Sequence, residues 1–399
     1  MAEPAARGNP VWLAALFALA WAGGAVAYMP FLTILLPGRV ADLAGPVTGI
    51  SWLAYLSFAG AIAASAGAIG LGYLSDVTRN RRGWIAAGLV LSCILLVASR
   101  AVHSLPGLIV VVSAWQLALN MMLGPLAAMA AEQVPDNQKG LFGGFLAFAP
   151  GLGALAGALV TLPGVPPSLF GADARLVLVA LMVSGCIAPV LLLRVARPAE
   201  PRAAAPPIDK PAPYGRATVI RMWLGRLAVQ VSEAALFAFL FFWLRSLDPG
   251  LSDHVISRIF SITVLVSAPL ALLSGRWADR HSRPFLPLVG TAAASGLGLL
   301  AMALAPSLDL AIAAYALFGV ASSIFLALHT AQTLRILPDP RRRARDLGLF
   351  NLTNTVPQLV VPWIALALIP TFGFSGLFVV LAALAGAACL LLLPIIRHP

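Results

Sequence analysis

Three polar side chains share one face of a largely apolar run, residues 218–245. Arg226, Gln230 and Glu233 are spaced i, i+4 and i+7, which places them on the same side of a helix. A charge at the centre of a bilayer costs about 2.5–3.5 kcal/mol even on the mildest scale, so one that is kept there marks a candidate functional site. A carboxyl group in this setting can take up and release a proton, which makes Glu233 a candidate for proton coupling. A structural hydrogen-bonding role is the alternative.

Arg226 and His329 complete the predicted ion-coupling set. Arg226 precedes Glu233 by seven residues, or ~10 Å along a helix, which is too far for a direct bond. His329 lies in the apolar run 310–335, and an imidazole gains and loses a proton near neutral pH. We therefore predict that Glu233, Arg226 and His329 take part in ion coupling.

Amide and aromatic side chains recur at helical spacing in other apolar runs. In a membrane bundle, such faces line a cavity suited to polar, ring-shaped solutes, or they join helices to one another. The predicted substrate-binding residues are Tyr28, Trp115, Gln116, Asn120, Gln230, Asn351, Asn354 and Gln358.

The composition predicts that membrane helices position these residues. Of the 399 residues, 60% are apolar, which is enough for twelve spans of ~20 apolar residues each. Only 10% are charged, against about 25% in soluble domains. This excludes a water-soluble enzyme, a disordered chain and a disulfide-rich secreted protein. Most of the basic residues that give the net charge of +11 lie in loops between the apolar runs. This placement is typical of membrane orientation and argues against nucleic-acid binding.

Twelve apolar runs separated by charged or Pro/Gly-rich breaks predict an all-α integral membrane protein. We expect twelve transmembrane helices in two pseudo-symmetric six-helix bundles, with a Pro/Ala-rich linker between them. The predicted domains are an N-terminal bundle at 1–195, a cytoplasmic linker at 196–217 and a C-terminal bundle at 218–399. The runs are 11–36, 49–73, 84–101, 106–131, 141–163, 175–195, 218–245, 257–275, 284–305, 310–335, 347–370 and 375–396.

The positions of lysine and arginine predict the orientation. Most of the 26 Lys and Arg residues fall on one side if both termini lie in the cytoplasm, as the positive-inside rule requires. The first run is longer than the apolar core of a cleaved signal peptide, so we expect it to remain as a span. The predicted location is the cell inner membrane, with multiple crossings and cytoplasmic N- and C-termini.

An internal repeat joins the two halves at an offset of 203 residues. Gly72 to Asp76 (GYLSD) follows the second run, and Gly275 to Asp279 (GRWAD) follows the eighth. The offset recurs after the fourth and tenth runs, where Pro135–Asp136 corresponds to Pro338–Asp339. The sequence therefore consists of two six-span halves in parallel repeat.

Together these features resemble the major facilitator superfamily of secondary transporters. The resemblance covers essentially the whole chain: twelve spans, a 6+6 repeat, a central cytoplasmic loop and a signature loop in each half. The signature is approximately G-x-x-x-D-R/K-x-G-R-R/K. The first copy has Val77 where a basic residue is usual and lacks the second glycine, whereas the second copy is nearer the pattern.

The resemblance implies that the signature loops form a conformational latch on one face of the transporter. An aspartate at the membrane edge can pair with arginines and accept bonds from a helix N-terminus. Solvated charges that merely orient the protein are the alternative. The implied latch residues are Gly72, Asp76, Arg79, Arg81, Arg82, Gly275, Asp279, Arg280 and Arg283.

Two short patterns point to opposite transport directions. The loop Ser75 to Trp84 is similar to that of glycoside and sugar cation symporters, whereas Ala149 to Gly153 is similar to part of the Gly-Pro motif of proton-coupled drug antiporters. We predict alternating access with proton-coupled uptake of a small polar solute such as a sugar or glycoside. The alternatives are proton-coupled efflux of amphipathic drugs and a non-transporting receptor or assembly factor.

The sequence predicts no catalytic or metal chemistry and no cofactor. It has no GxxxxGK[ST] phosphate loop, and Cys93, Cys186 and Cys389 lie singly in apolar runs. The expected partners are a small-molecule substrate, protons as the coupling ion and the lipid bilayer, with the protein a monomer.

Overall fold

The fold is built almost entirely from long apolar helices. A computed structural model describes residues 10–135, 138–192, 215–281, 283–336 and 343–397. Within these ranges, ten helices are long and apolar enough to cross a membrane. Helices suit this role because they satisfy every backbone polar group internally where no water is present. The prediction of a helical, multi-span membrane protein is confirmed.

The described residues of the first part of the chain form seven α-helices. A π-helical turn at Phe31–Leu35 joins the first two helices. A short hairpin pairs the two-residue strand Ser168–Leu169 with the two-residue strand Ala172–Asp173. The sequence analysis did not predict this hairpin. The helices are α1 Pro10–Pro30, α2 Leu36–Thr78, α3 Arg81–Ala98, α4 Leu105–Gln133, α5 Lys139–Leu146, α6 Ala149–Val160 and α7 Ala174–Leu192.

Within the described ranges of the second part of the chain there are five α-helices. Their ends follow local chemistry: the Ser252 side chain accepts a bond from the Val255 amide at 3.4 Å and caps the helix that begins at Asp253. The helices are α8 Arg216–Leu247, α9 Asp253–Arg280, α10 Leu286–Leu304, α11 Leu308–Ile336 and α12 Arg343–Arg397.

Two of these helices are each broken at a glycine with a positive φ. Gly45 in α2 has φ 76° and Gly373 in α12 has φ 65°, a backbone region that favours glycine over residues with a Cβ. The breaks fall where the sequence separates the first run from the second and the eleventh from the twelfth. The count of twelve crossings in two bundles stays a prediction.

Some predicted features fall on residues that are not described. Linker residues 196–214 lie outside the described ranges, as do Asp136 and Leu337–Asp339 of the second repeat match. The same holds for the side chain of Asn351. The described chain groups into two compact units, Met1–Leu43 with Ala59–Ala204 and Ala44–Phe58 with Ala205–Pro399.

In the first unit, small residues allow close helix packing. Helix α1 packs against α6 and α7, and α3 packs against α4. A Cβ added at Gly88 of α3 would lie 2.6 Å from the Met122 amide nitrogen, and one at Gly153 of α6 would lie 2.6 Å from the Ala25 carbonyl oxygen. These glycines therefore let backbones approach directly, as small residues do in membrane bundles.

The same unit has a charged cluster that joins three interhelical connections. Arg39 Nη2 donates to the Arg100 carbonyl at 3.1 Å, and Arg100 Nε lies 3.3 Å from Asp173 Oδ2 in the hairpin. The Asp173 carboxylate also accepts a bond from the Arg175 amide at 3.0 Å. The cluster therefore fixes the ends of α2, α3 and α7 relative to one another.

In the second unit, α12 packs against α8 and α10, and α11 packs against α9 and α10. Its apolar core includes Met222 of α8, Leu288 of α10, Phe325 of α11 and Leu392 of α12. A Cβ added at Gly298 of α10 would lie 2.7 Å from the Phe318 amide nitrogen of α11. This repeats the close approach of α3 to α4 in the other unit.

We predict that Gly298→Val destabilises the protein by about 1–3 kcal/mol, because the new side chain meets backbone that cannot move aside. Gly290→Val in the same helix is the matched control, since a Cβ there meets nothing within 4 Å. Thermal unfolding of the purified protein in detergent measures both. Equal losses of stability in the two variants would show that helix propensity, rather than the close approach, is responsible.

Candidate functional site

One arginine side chain joins three helices of the second unit. Arg226 of α8 donates through Nε to Thr353 Oγ1 at 3.0 Å and through Nη2 to Asn354 Oδ1 at 3.3 Å, both in α12. Its Nη1 donates to Thr330 Oγ1 of α11 at 2.9 Å. The guanidinium group is planar and its donors point in fixed directions, so these bonds hold it in one orientation.

His329 supports this arrangement from the buried side. Its Nε2 lies 2.9 Å from the Met222 carbonyl oxygen, which can only accept, so Nε2 carries the hydrogen. Its Nδ1 lies 3.5 Å from Arg226 Nη1, which can only donate, so Nδ1 is the acceptor. The side chain is 0% exposed. The geometry therefore assigns His329 the neutral Nε2–H tautomer. In this state Nδ1 accepts a bond from the guanidinium group and helps to hold it in place.

Glu233 lies two turns further along α8. Its Oε2 is buried and has no hydrogen-bond partner among the described residues, and the same is true of Gln230 Oε1. Arg226 and the buried Tyr315 of α11 lie within electrostatic range of the carboxyl group. A buried polar oxygen without a partner costs about 1–3 kcal/mol, so its presence is a reason to look for function.

The structure joins two of the three residues predicted for ion coupling, Arg226 and His329, in one hydrogen-bonded cluster with Asn354, a predicted substrate-binding residue. Glu233, the third, lies on the same helix as Arg226, as does the predicted substrate-binding residue Gln230. Gln358 lies one turn beyond Asn354 in α12 and is exposed.

The other predicted substrate-binding residues lie in the first unit. Trp115 of α4 is 1% exposed, and its ring meets that of Phe31 edge-on at 4.8 Å between centroids. Gln116 is buried, Asn120 Nδ2 donates to its carbonyl at 2.9 Å, and Tyr28 of α1 is half-buried. These four residues do not form part of the cluster around Arg226.

The first signature loop forms an ion-pair group. Arg81 Nη2 lies 3.1 Å from Asp76 Oδ1, and Arg81 Nη1 pairs with Glu132 at the end of α4. Arg79 is exposed, with φ 50°, and ends α2, while Arg82 is half-buried. The pair Asp76–Arg81 joins the end of α2 to the start of α3, and Glu132 adds α4.

The second signature loop lies at the corresponding end of α9. Asp279, Arg280 and Arg283 are exposed there, and a Cβ at Gly275 would lie 3.4 Å from the Leu328 side chain. In the first loop, Gly72 faces Gly124 of α4, where a Cβ would come within 3.8 Å of the Gly72 Cα. Both glycines therefore stand at helix contacts.

Three residues of these clusters are absent from the predicted set. Thr330 and Thr353 were missed because threonines are common in membrane helices, although their spacing places them beside His329 and Asn354. Glu132 lies near a helix end beside Pro135, a position that indicates a gate or an interfacial charge rather than a midplane site. Its position after the fourth run, on the same side as the first signature loop, is the signal that could have paired it with Arg81.

Comparison with known proteins agrees with this architecture. Residues 222–399 match the family model described as Major Facilitator Superfamily. A comparison with curated proteins finds no match. The matched residues make up less than half of the chain, and over that part the match agrees with the predicted resemblance to this superfamily.

Three solved structures share the fold. A bacterial homologue of the human lysosomal transporter Spinster, inward-facing and occupied, is 14% identical over 97% of this chain and 97% of that chain, with a TM-score of 0.74. Its unoccupied form is 13% identical over 99% and 97%, with a TM-score of 0.67. A POT family transporter in complex with 5-aminolevulinic acid is 15% identical over 100% and 98%, with a TM-score of 0.71.

We predict that Thr353→Val lowers the free energy of unfolding by about 1–3 kcal/mol, because the part-buried Nε–H of Arg226 loses its acceptor, the buried Thr353 hydroxyl. Thr355→Val, two residues along the same helix, is the control because Thr355 bonds only to the Leu352 carbonyl. Thermal unfolding in detergent distinguishes them. A Thr353→Val protein as stable as the control would show that the bond to Arg226 is not stabilising.

Proposed function

We propose that this chain belongs to the major facilitator superfamily and is a proton-coupled transporter that takes up a small polar organic solute, with Glu233 as the proton carrier. The superfamily carries out secondary transport by alternating access, so a member of it needs a group that binds the coupling ion and releases it down its gradient. The observation that supports Glu233 is its buried Oε2, which no described residue satisfies. A carboxyl group in this position can take up and release a proton without breaking a structural hydrogen bond.

Arg226 can transmit the proton state of Glu233 to the solute. The two charges lie within electrostatic range on one helix face. When Glu233 is ionised, its negative charge offsets the positive charge of the guanidinium group, which then attracts the solute less strongly. When Glu233 is protonated, the guanidinium charge is no longer offset and attracts the solute more strongly. His329, held between Met222 and Arg226, then orients the arginine rather than carrying the proton.

The polar surroundings favour a polar solute. Asn354 is half-buried beside the guanidinium group and Gln358 is exposed one turn away. Amide groups of this kind match the hydroxyl groups of a sugar or glycoside, which supports uptake of a nutrient. Tyr28, Trp115, Gln116 and Asn120 remain proposed binding residues of the first unit.

Drug efflux is the second candidate, and it rests on the pattern Ala149 to Gly153. Packing provides another reason for that pattern, since Gly153 lets α6 approach the Ala25 carbonyl of α1. The efflux proposal therefore loses its specific support. A non-transporting receptor is the third candidate, and the ion pairs of the first signature loop favour a moving transporter over it.

We propose that the signature loops act as the latch. The group formed by Asp76, Arg81 and Glu132 ties three helices of the first unit at one membrane edge. Asp279, Arg280 and Arg283 supply the corresponding charges at the end of α9. With the predicted orientation, both loops face the cytoplasm. We propose that the protein is a monomer in the inner membrane of the cell.

We predict that Glu233→Gln abolishes solute accumulation driven by a pH gradient while exchange of solute across the membrane continues. The amide keeps the size and polarity of the side chain but cannot carry a proton. Reconstituted vesicles with an imposed pH gradient measure accumulation, and preloaded vesicles measure exchange.

The control for this experiment is Asp309→Asn, a change at an exposed carboxylate in the first turn of α11. It should leave both activities unchanged. Accumulation that persists in Glu233→Gln would refute the coupling role, and loss of exchange as well would assign Glu233 to solute binding instead.

A further inference from the structure

We infer that the transported solute carries a single negative charge, as an organic carboxylate does, and that Arg226 binds that charge. This deepens the proposed function, on which it rests, by naming the chemical class of the solute. A sugar acid or another small hydroxylated carboxylate fits this class, whereas a neutral glycoside does not.

The first observation is that Arg226 lacks a carboxylate partner within the described residues. Other arginines of the chain have one: Arg81 pairs with Asp76 and Glu132, Arg100 with Asp173, and Arg245 with Asp253. These three lie at helix ends. Arg226 lies inside a span, where leaving a charge uncompensated costs most, and yet it meets only neutral acceptors.

The second observation comes from the donors of the guanidinium group. An arginine has five N–H groups. Nε uses its hydrogen on Thr353, and the two hydrogens of Nη1 are shared by Thr330, the Leu326 carbonyl and His329. Nη2 has two hydrogens and only Asn354 as an acceptor within the described part of the chain. One charged donor is therefore left for a ligand.

The third observation is the direction from which a ligand can reach this donor. His329 and Thr353 close one side of the guanidinium group and are 0% exposed. On the other side, Thr330 is exposed and Asn354 is half-buried, so this edge is open. At that edge the Thr330 hydroxyl, whose own hydrogen goes to the Leu326 carbonyl, can accept a bond from a hydroxyl group of the solute. The amide nitrogen of Asn354 can donate to the second oxygen atom of a carboxylate.

The charge balance favours the same class of solute. With Glu233 protonated, Arg226 leaves the interior of the second unit with an uncompensated positive charge. A monoanion bound at Arg226 cancels it, and a carboxylate–guanidinium pair is both shorter and stronger than a bond to a neutral group. One proton and one monoanion together carry no net charge, so the loaded site is neutral when it crosses.

The test compares charged and uncharged partners of nearly the same shape on the full-length protein in detergent. The probes are glucuronate with glucose, gluconate with glucitol, and benzoate with benzamide, with inorganic phosphate as a simple anion. Thermal unfolding reports binding, because a ligand that binds only the folded protein raises its stability. We expect at least one carboxylate to stabilise the protein and its uncharged partner to have no effect.

Two substitutions locate the effect. Arg226→Gln should abolish stabilisation by the carboxylate. Arg226→Lys, which keeps the charge but loses the forked donors, should weaken binding by about tenfold. If Arg226→Gln fails to fold, judged by size-exclusion chromatography, the lysine variant and the paired probes on the unaltered protein decide the question.

Three results would overturn the inference: equal stabilisation by the uncharged partners, no stabilisation by any anion of the panel, or an undiminished effect of the carboxylate in Arg226→Gln. Glu233→Gln separates this inference from the coupling proposal. If the coupling role fails, accumulation persists in that variant. If the anion site fails, carboxylate binding is absent whatever the state of Glu233.

Discussion

A charge inside a membrane protein must be solvated by the protein's own polar groups, and Arg226 is where this chain meets that requirement. The guanidinium group is surrounded by the hydroxyls of Thr330 and Thr353, the amide of Asn354 and the ring of His329. These groups solvate the charge without neutralising it. The three helices that provide them are thereby held around one cation, which remains available to a mobile anion.

The rest of the fold keeps those helices close enough for such bonds to form. Backbone polar groups are satisfied within the helices, so helices can approach one another through small residues alone. Gly88 brings α3 onto α4, and Gly298 brings α10 onto α11, the helix that carries Thr330 and His329. The two units thus use the same device, and in the second unit it positions part of the candidate site.

Much of the fold could be predicted from the sequence, because hydrophobic runs and their breaks report directly on membrane helices. The repeat at 203 residues and the signature loops predicted the resemblance to the superfamily whose family model matches residues 222–399. The sequence does not reveal that Gly45 and Gly373 adopt the positive φ angles that break their helices. The strands of the hairpin at Ser168–Asp173 are too short to give a recognisable alternating pattern. Local conformation of this kind depends on neighbours that periodicity does not reveal.

The candidate site was predicted in part. Helical spacing placed Arg226, Gln230 and Glu233 on one face, but it could not show that α11 and α12 supply the partners of Arg226. His329 illustrates the difference: its residue type suggested titration, whereas its contacts with the Met222 carbonyl and Arg226 assign it a fixed tautomer. Partner identity is a property of packing between helices distant in sequence, and only the structure provides it.

The central claim is that one proton on Glu233 and one anion on Arg226 move together. The most direct test is uptake of the stabilising carboxylate into reconstituted vesicles, with the pH gradient and the membrane potential imposed separately. We expect uptake to follow the pH gradient and to be unchanged when a potassium diffusion potential is applied at equal pH, because the loaded site is neutral. Uptake driven by the potential alone, with no pH gradient, would contradict it.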